Sequence, residues 1–459
     1  MKGQALSRGA FIKMASTIAL PIMVQNLIGT LVNTADTLML GYVGQAAMSA
    51  SSLASNAHTI MWCVVSGLST GAAVLGSQYW GKKDIDTIER ALGLAMRFCV
   101  GVGILTFLLC FLAPGAVMSL FTNDPEIIEQ GIIYLRVLSF SFLFESFSIT
   151  YFAVLRSAEK VLIPSISVVM SLFINVLINA TFIFGLFGMP RLGVAGVALG
   201  TVAARAFEVF LCLMHSLTSK DIRFHIHYVF ADAGILMKDF LAQGIPSSIN
   251  DAAWSCSVAA YSIILGHMGS DAVAANAVAA MALNIGGIVC RGFASATTII
   301  VGKALGQGER ETGKLYSKRM LGLTVFFSVL GGLVMVAIRP LISNLYRDKL
   351  TETALYYFGI MMLMQAYRLI GEGLNSCWIC GCFRGGGDSK FGMIVDTLCI
   401  WLIAVPATAA AAYLFKAPVL VVYFVMCLDE FEKLPFVLHH YLQYKWLNNI
   451  TRDKAELEG

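Results

Sequence analysis

The chain is 459 residues long, 58% hydrophobic and only 13% charged, with a formal net charge of +4. A soluble domain carries about 25% charged residues, so this balance excludes a water-soluble fold and describes a chain dissolved in a lipid bilayer; no nucleic-acid partner is expected. The eleven cysteines lie mostly inside apolar runs without secreted-type spacing and read as reduced packing residues, and the first apolar run has no cleavage-like end.

Twelve apolar runs are long enough to cross a bilayer, which takes about 20 helical residues. They fall near 14–40, 48–76, 92–113, 131–155, 161–187, 193–216, 238–266, 272–301, 320–338, 352–380, 392–415 and 418–442. Backbone groups in lipid must be satisfied within the segment, so each run is predicted to be a helix; none shows the ten-residue alternation of a barrel. With the amino terminus in the cytoplasm, the inner segments hold 21 lysines and arginines, among them Lys2, Arg8, Lys82, Lys83, Lys220, the Lys303–Arg319 cluster and Lys454. The outer loops hold five: Arg191, Arg339, Arg347, Lys349 and Lys416. The bias predicts a multi-pass protein of the cell (inner) membrane with both termini cytoplasmic.

The chain is also written twice. Leu38-Met39-Leu40-Gly41-Tyr42-Val43-Gly44 recurs 225 positions later as Ile263-Ile264-Leu265-Gly266-His267-Met268-Gly269, and the same offset maps Pro21 onto Pro246, Gly67 onto Gly292 and Gly81 onto Gly306. After a three-residue slip, Arg156 falls on Arg384. The predicted organisation is an amino-terminal six-helix lobe (1–220), a cytoplasmic connector (221–236), a carboxy-terminal six-helix lobe (237–445) and a cytoplasmic tail (446–459). Six helices per copy is even, so the copies enter the membrane in the same direction. The fold class is all-α integral membrane, twelve transmembrane helices in two parallel six-helix repeats, an arrangement that points to transport.

An ionisable side chain at membrane depth costs roughly 2.5–3.5 kcal/mol or more, so each asks for a partner or a task. Asp36, late in the first span, has no basic residue within a helical turn. Its carboxyl can exchange a proton or join neutral oxygens around a small hard cation; the plainer reading is a carboxylate lining a wet entrance. Asn175 and Asn179 are four apart on the fifth span and share a face. Alone such a pair is interhelical glue, but beside Asp36 a carboxylate and two amides make a site for Na⁺ or H⁺. In the fourth span, Glu145 is too far from Arg136 to pair with it, whereas Arg205 and Glu208 in the sixth are spaced to pair with each other.

The second half carries Asn250 and Asp251, then Arg291, then Arg368 and Glu372, then Asp396. Arg368 and Glu372 are expected to pair, and Asp251 and Asp396 to meet Arg291 or Arg368 across helices, as a structural charge network. Asp429, Glu430 and Glu432, near the end of the last span, read as cavity-lining or interfacial. Met61, Trp62, Glu145, Met281, Met364 and Tyr367 are candidates for an adaptable substrate wall, since Met and aromatic side chains tolerate many ligand shapes. Cys377-x-x-Cys380-x-Cys382 ends an apolar run with no histidine or second cysteine pair nearby, and reads as packing rather than a metal box. No phosphate-binding loop, nucleophile elbow or H-E-x-x-H occurs, and the histidines do not gather in the spans; the chain is not expected to be an enzyme or to use a cofactor.

Several segments resemble the MATE (multidrug and toxic compound extrusion) family. They are Ala19-Leu20-Pro21, Asp36-Thr37-Leu38-Met39-Leu40-Gly41, Gly81-Lys82-Lys83, Leu155-Arg156-Ser157, Gly193-Val194-Ala195-Gly196-Val197-Ala198, Gly306-Gln307-Gly308 and Phe383-Arg384-Gly385-Gly386-Gly387-Asp388. The resemblance runs from about residue 10 to 445. It implies two six-helix lobes around a central cavity and secondary antiport, exporting organic, cationic and amphiphilic molecules against inward Na⁺ or H⁺, with no oligomer required. It also implies that Asp36, Asn175 and Asn179 form a cation site in the amino lobe, with Thr201 as a neighbour. The chain departs from the pattern where some relatives carry an acidic residue eight positions after the seventh-span proline; Trp254 stands there, so a family-type sodium site in the carboxy lobe is not expected. The alternative within the same superfamily is a flippase for lipids or lipid-linked sugars, which would want a more cationic cavity than Arg205, Arg291 and Arg368 supply.

Overall fold

The computed structural model describes residues 6–219, 221–453 and 456. Lys2, Lys220 and Lys454, which count toward orientation, lie outside them. Among the described residues every regular element is helical, as a chain that must satisfy its own backbone in lipid requires.

The first half comprises α1 (Arg8–Val43), α2 (Gln45–Lys82), α3 (Ile85–Leu112), the short α4 (Pro114–Ser119), α5 (Pro125–Ser157), α6 (Leu162–Phe184) and α7 (Val194–Thr218). A five-residue helix in the connector, α8 (Ile226–Phe230), precedes the second half: α9 (Gly234–Gly266), α10 (Ser270–Gly306), α11 (Arg310–Leu345) and α12 (Glu352–Asn375). α12 widens into a π-helical stretch, Ser376–Phe383, which carries Cys377, Cys380 and Cys382. The next span alternates α13 (Ser389–Leu398) and α14 (Val405–Ala409) with π-helical Cys399–Ala404 and Ala410–Leu414. The last is split into α15 (Val419–Cys427) and α16 (Leu434–Gln443).

All twelve predicted spans are therefore helical, and nine helices among the described residues are long and apolar enough to cross a membrane. The other three are the ones loaded with polar groups. α9 carries Lys238, Asp239 and Asp251, α12 carries Glu352, Arg368 and Glu372, and the last span is broken where Asp429, Glu430, Glu432 and Lys433 fall.

The repeat is visible in the backbone. Pro21 lies inside α1 and Pro246 inside α9, and each helix is followed by a sharp joint at one glycine of positive φ, Gly44 (147°) and Gly269 (117°). Left-handed residues recur at Lys83 and Gly308, offset by 225, and at Glu159 and Gly387, offset by 228. The side chains repeat one contact as well: Arg156 donates to Gln25 Oε1 at 3.2 Å, and its counterpart Arg384 donates to Asn250 Oδ1 at 3.0 Å.

Two compact units result, Val24–Ser248 with Thr451–Gly459 and Met1–Met23 with Ile249–Ile450. They are cut elsewhere than at the polar connector. The start of α1 belongs with the second unit because its side chains pack there: Gly292 leaves room for Met23, Phe11 lies 5.0 Å from the Tyr316 ring, and Arg319 donates to the Leu6 carbonyl. The described end of the chain belongs with the first, where Arg452 pairs with Asp239 and Asp453 with Lys82 at 2.7 Å. Within the first unit α5 packs against α2, α3 and α7, and α6 lies on α7. Gly103 against Ser146 and Gly76 against Ser157 are too close for any larger residue, the small-residue packing that holds helices together where water supplies no drive. In the second unit α10, α11 and α12 pack on one another.

Candidate functional site

Four predicted residues converge in the first unit. α1 supplies Asp36, α6 supplies Asn175 and Asn179 from one face, and α7 supplies Thr201. Asn179 Nδ2 donates to Asp36 Oδ1 at 2.6 Å and lies 3.3 Å from Asn175 Oδ1. The Thr201 hydroxyl lies 3.5 Å from Asp36 Oδ2, and Asn175 Nδ2 lies 3.5 Å from the Thr201 oxygen. Both asparagines are fully buried, while Asp36 is half-buried.

The sequence enforces this approach through glycine. A Cβ on Gly200 would stand 2.0 Å from Asn179 Oδ1 and 3.0 Å from the Asn175 carbonyl, so only hydrogen fits between α7 and α6 at this level. Gly196, one turn earlier, makes the same room for Phe182. Asn179 Oδ1 is buried without a hydrogen-bond partner, a costly state for a carbonyl oxygen. The site thus offers a carboxylate, a hydroxyl and a spare amide oxygen, and rotating an asparagine side chain exchanges its N–H donors for an oxygen acceptor. Such a set can take up one proton or one small hard cation, the chemistry expected of oxygen ligands.

One turn beyond Thr201 on the same helix, Arg205 pairs with Glu208 at 3.0 Å, as its spacing predicts, and also with Glu145 Oε1 at 3.2 Å. Glu145 Oε2 takes a third contact, His58 Nε2 on α2 at 2.7 Å, and Ser148 donates to Glu208 at 3.0 Å. Glu145 therefore lies in a buried ion network and presents no open surface to a ligand. Sequence reasoning misses His58 because one histidine among apolar residues makes no spacing pattern. Its depth is the signal that finds it: about 20 Å along α2 at 1.5 Å per residue, where an ionisable group asks for a partner.

In the second unit the expected charges do pair, with other partners. Arg368 does not close on Glu372, one turn along α12; it forms a two-pronged pair with Asp429 at 3.0 and 2.7 Å. Glu372 takes Arg291 at 3.3 Å. Asp251 meets neither Arg291 nor Arg368 but Arg384, at 2.9 Å. Asp396 is held by Lys433 at 2.6 Å and by Asn250 Nδ2 at 2.6 Å. The reason is the break after Cys427, where Leu428–Glu430 forms a 3₁₀ turn and folds Asp429, Glu430 and Lys433 inward. Asp429 and Glu430 are consequently buried rather than interfacial. Lys433 lies between Asp396 and Glu430, 3.3 Å from the latter, and Asn375 donates to Glu430 Oε2 at 2.9 Å.

Of the remaining candidates for a substrate wall, Met61 is buried, Trp62, Met281 and Tyr367 are open, and Met364 is half-buried. The Tyr367 ring is stacked on Phe431 at 4.2 Å.

The family model MatE matches residues 21–181 and 246–409, two matches that begin one repeat apart. The probable multidrug resistance protein NorM of Thermotoga maritima is 24% identical over 447 residues, covering 96% of this chain and 95% of that protein. The probable multidrug resistance protein YoeA of Bacillus subtilis is 23% identical over 462 residues, covering 98% and 97%. Among solved structures, the eukaryotic MATE transporter AtDTX14 superposes with a TM-score of 0.84 at 18% identity, over 96% of this chain and 98% of its own. A MATE in complex with MaD3S gives a TM-score of 0.84 at 17% identity, over 94% and 96%. With both repeats matched and the fold shared end to end, the chain belongs to the MatE family and is a multi-pass membrane transporter, not an enzyme.

Proposed function

We propose that this protein exports small organic molecules, cationic and amphiphilic ones in particular, in exchange for an inward cation that binds at Asp36. The relatives named multidrug resistance proteins support export of drugs. The observation that carries the coupling is the convergence of Asn175, Asn179 and Thr201 on a membrane-depth carboxylate, with a buried amide oxygen left spare.

The coupling ion is Na⁺ or H⁺, and both termini are cytoplasmic. A bound cation neutralises Asp36 and satisfies Asn179 Oδ1. This alters the hold of α6 and α7 on the last third of α1, which can hinge at Pro21. Such a change drives export only if the cation and the drug prefer different states of the transporter. One charge moving down 100 mV supplies about 2.3 kcal/mol, enough for a concentration ratio near fifty.

The experiment is export of a fluorescent organic cation from proteoliposomes, with a Na⁺ gradient and a pH gradient imposed separately, for the native protein and Asp36→Asn. Efflux driven by one gradient and lost in the variant supports the reading and names the ion. Driven export that survives Asp36→Asn refutes the assignment of Asp36. Absence of driven efflux under either gradient turns the substrate toward a lipid or lipid-linked sugar.

A further inference from the structure

We propose that His58, with Glu145 and Arg205, forms a second proton-binding site in the first unit, and that it shares its electrostatics with Asp36. This deepens the coupling role given to Asp36 and rests on that role for the link between the sites, though not for the proton on His58.

The argument begins with the count of charge. The interior of this unit brings three carboxylates together, Asp36, Glu145 and Glu208, around one guanidinium, Arg205. Arg205 and Thr201 are one turn apart on α7, so the group that touches Asp36 and the group that touches Glu145 stand on one helix face. Other cations are remote. On α5, Arg136 is nine residues before Glu145 and Arg156 eleven after it, about 13 and 16 Å along the helix. α3 carries no charge between Arg97 and its end, only Cys99 and Cys110; α6 carries none at all. Tyr134 on α5 and the hydroxyl of Thr201 are the other protic groups near Asp36.

Among the described residues, His58 is therefore the side chain placed to add a second positive charge. Its Nε2 sits 2.7 Å from Glu145 Oε2, its ring stacks on Phe142 at 6.0 Å, and a third of its side-chain surface is open. Imidazole is the side chain whose charge changes between pH 5 and 8. Protonated, it donates to Glu145 as a cation and the cluster carries two positives against three carboxylates; released, the proton leaves Arg205 alone among them. Neutralising Asp36 shifts the same balance, so the two sites compete for Arg205 and each proton or cation bound at one changes uptake at the other. The reciprocity is required by linkage.

The test uses Trp62. It lies four residues from His58 on the same face of α2 and is open, and an imidazolium quenches a neighbouring indole more strongly than neutral imidazole does. Emission of the full-length protein in nanodiscs is followed from pH 5 to 8, and the Trp62 part is taken as the difference from Trp62→Phe. The expected result is quenching on acidification that disappears in His58→Gln, which keeps a neutral donor for Glu145, and in His58→Arg, which is always charged. In Asp36→Asn the response persists with its midpoint moved to lower pH, because a carboxylate that favours the charged imidazole has gone. A flat native trace, or a response that survives His58→Gln, overturns the proton site. An unmoved midpoint in Asp36→Asn overturns the link. Proteoliposome export by Asp36→Asn reports separately on the coupling role of Asp36, so the two readings fail by different measurements.

Discussion

Replacing Gly200 with alanine isolates the geometry of the Asp36 site without touching a charge. The added methyl carbon would lie 2.0 Å from Asn179 Oδ1, where real contacts need at least 3.0 Å. Asn179 must therefore retreat by about 1 Å, or α6 and α7 must separate by that much. The hydrogen bond from Asn179 to Asp36 is 2.6 Å long; a retreat of this size, away from α1 or sideways, takes it to the edge of hydrogen-bonding range. Overpacking of this kind costs roughly 1–3 kcal/mol of stability. A misplacement near 1 Å in a positioning residue can cost about a hundredfold in rate. The assay is gradient-driven export from proteoliposomes beside thermal unfolding in the same detergent. The expected outcome is a folded protein, modestly destabilised, whose driven export falls by ten- to a hundredfold. Gly200→Ala combined with Asn179→Ala should recover the stability but not the export. Undiminished export by Gly200→Ala would refute the argument that the α6–α7 approach sets the coupling geometry.

Three other outcomes follow from contacts elsewhere. Lys433→Met removes the cation that Asp396 and Glu430 share, leaving Asp396 with only the Asn250 amide, and should cost about 3–5 kcal/mol, the usual penalty for half a buried pair, with much of it regained in Lys433→Met/Asp396→Leu; thermal unfolding reads both. Gln25→Leu and Asn250→Leu each remove the amide that an arginine donates to, half-buried Arg156 in one case and buried Arg384 in the other, and each should lower stability by about 1.5–3 kcal/mol in the same measurement. Outside the membrane, the hydrogen bond and charge of Lys160 hold the Asp221 carboxyl below its ordinary value of 3.8. A depressed carboxyl stabilises the fold above its unfolded value and loses that contribution as pH falls through the folded one. Asp221→Asn should therefore differ slightly from the native protein at pH 7, this pair being exposed, and the difference should shrink only below about pH 4.

Much of this molecule was legible in its sequence because lipid leaves a chain few choices. Length and apolarity predicted each of the twelve helical spans, and the 225-residue register that pairs Gly44 with Gly269 in the sequence proves to pair two backbone joints. Asp36, Asn175 and Asn179 could be grouped because a lone carboxylate in an apolar span demands polar company, Thr201 was added only by the family resemblance, and the structure brings the four together. The pairing of the second-half charges was not legible. Helical spacing put Arg368 with Glu372, but spacing says nothing about a neighbouring helix that breaks and turns Asp429 and Lys433 inward. Glu145 looked like a free carboxylate because its partners, His58 and Arg205, come from helices 87 and 60 residues away.

The left-handed joints have a consequence for engineering. At two of them one copy uses glycine and the other a residue with a side chain: Gly308 answers to Lys83, and Gly387 to Glu159. A side-chain-bearing residue in that conformation costs about 1–2 kcal/mol, yet the same backbone shape persists in both halves. The bends are therefore dictated by how the helices must enter and leave the membrane, not by the residue that happens to occupy them. The turns behave as interchangeable parts: Gly-for-Lys83 or Gly-for-Glu159 exchanges copy into one half a solution that the other already uses.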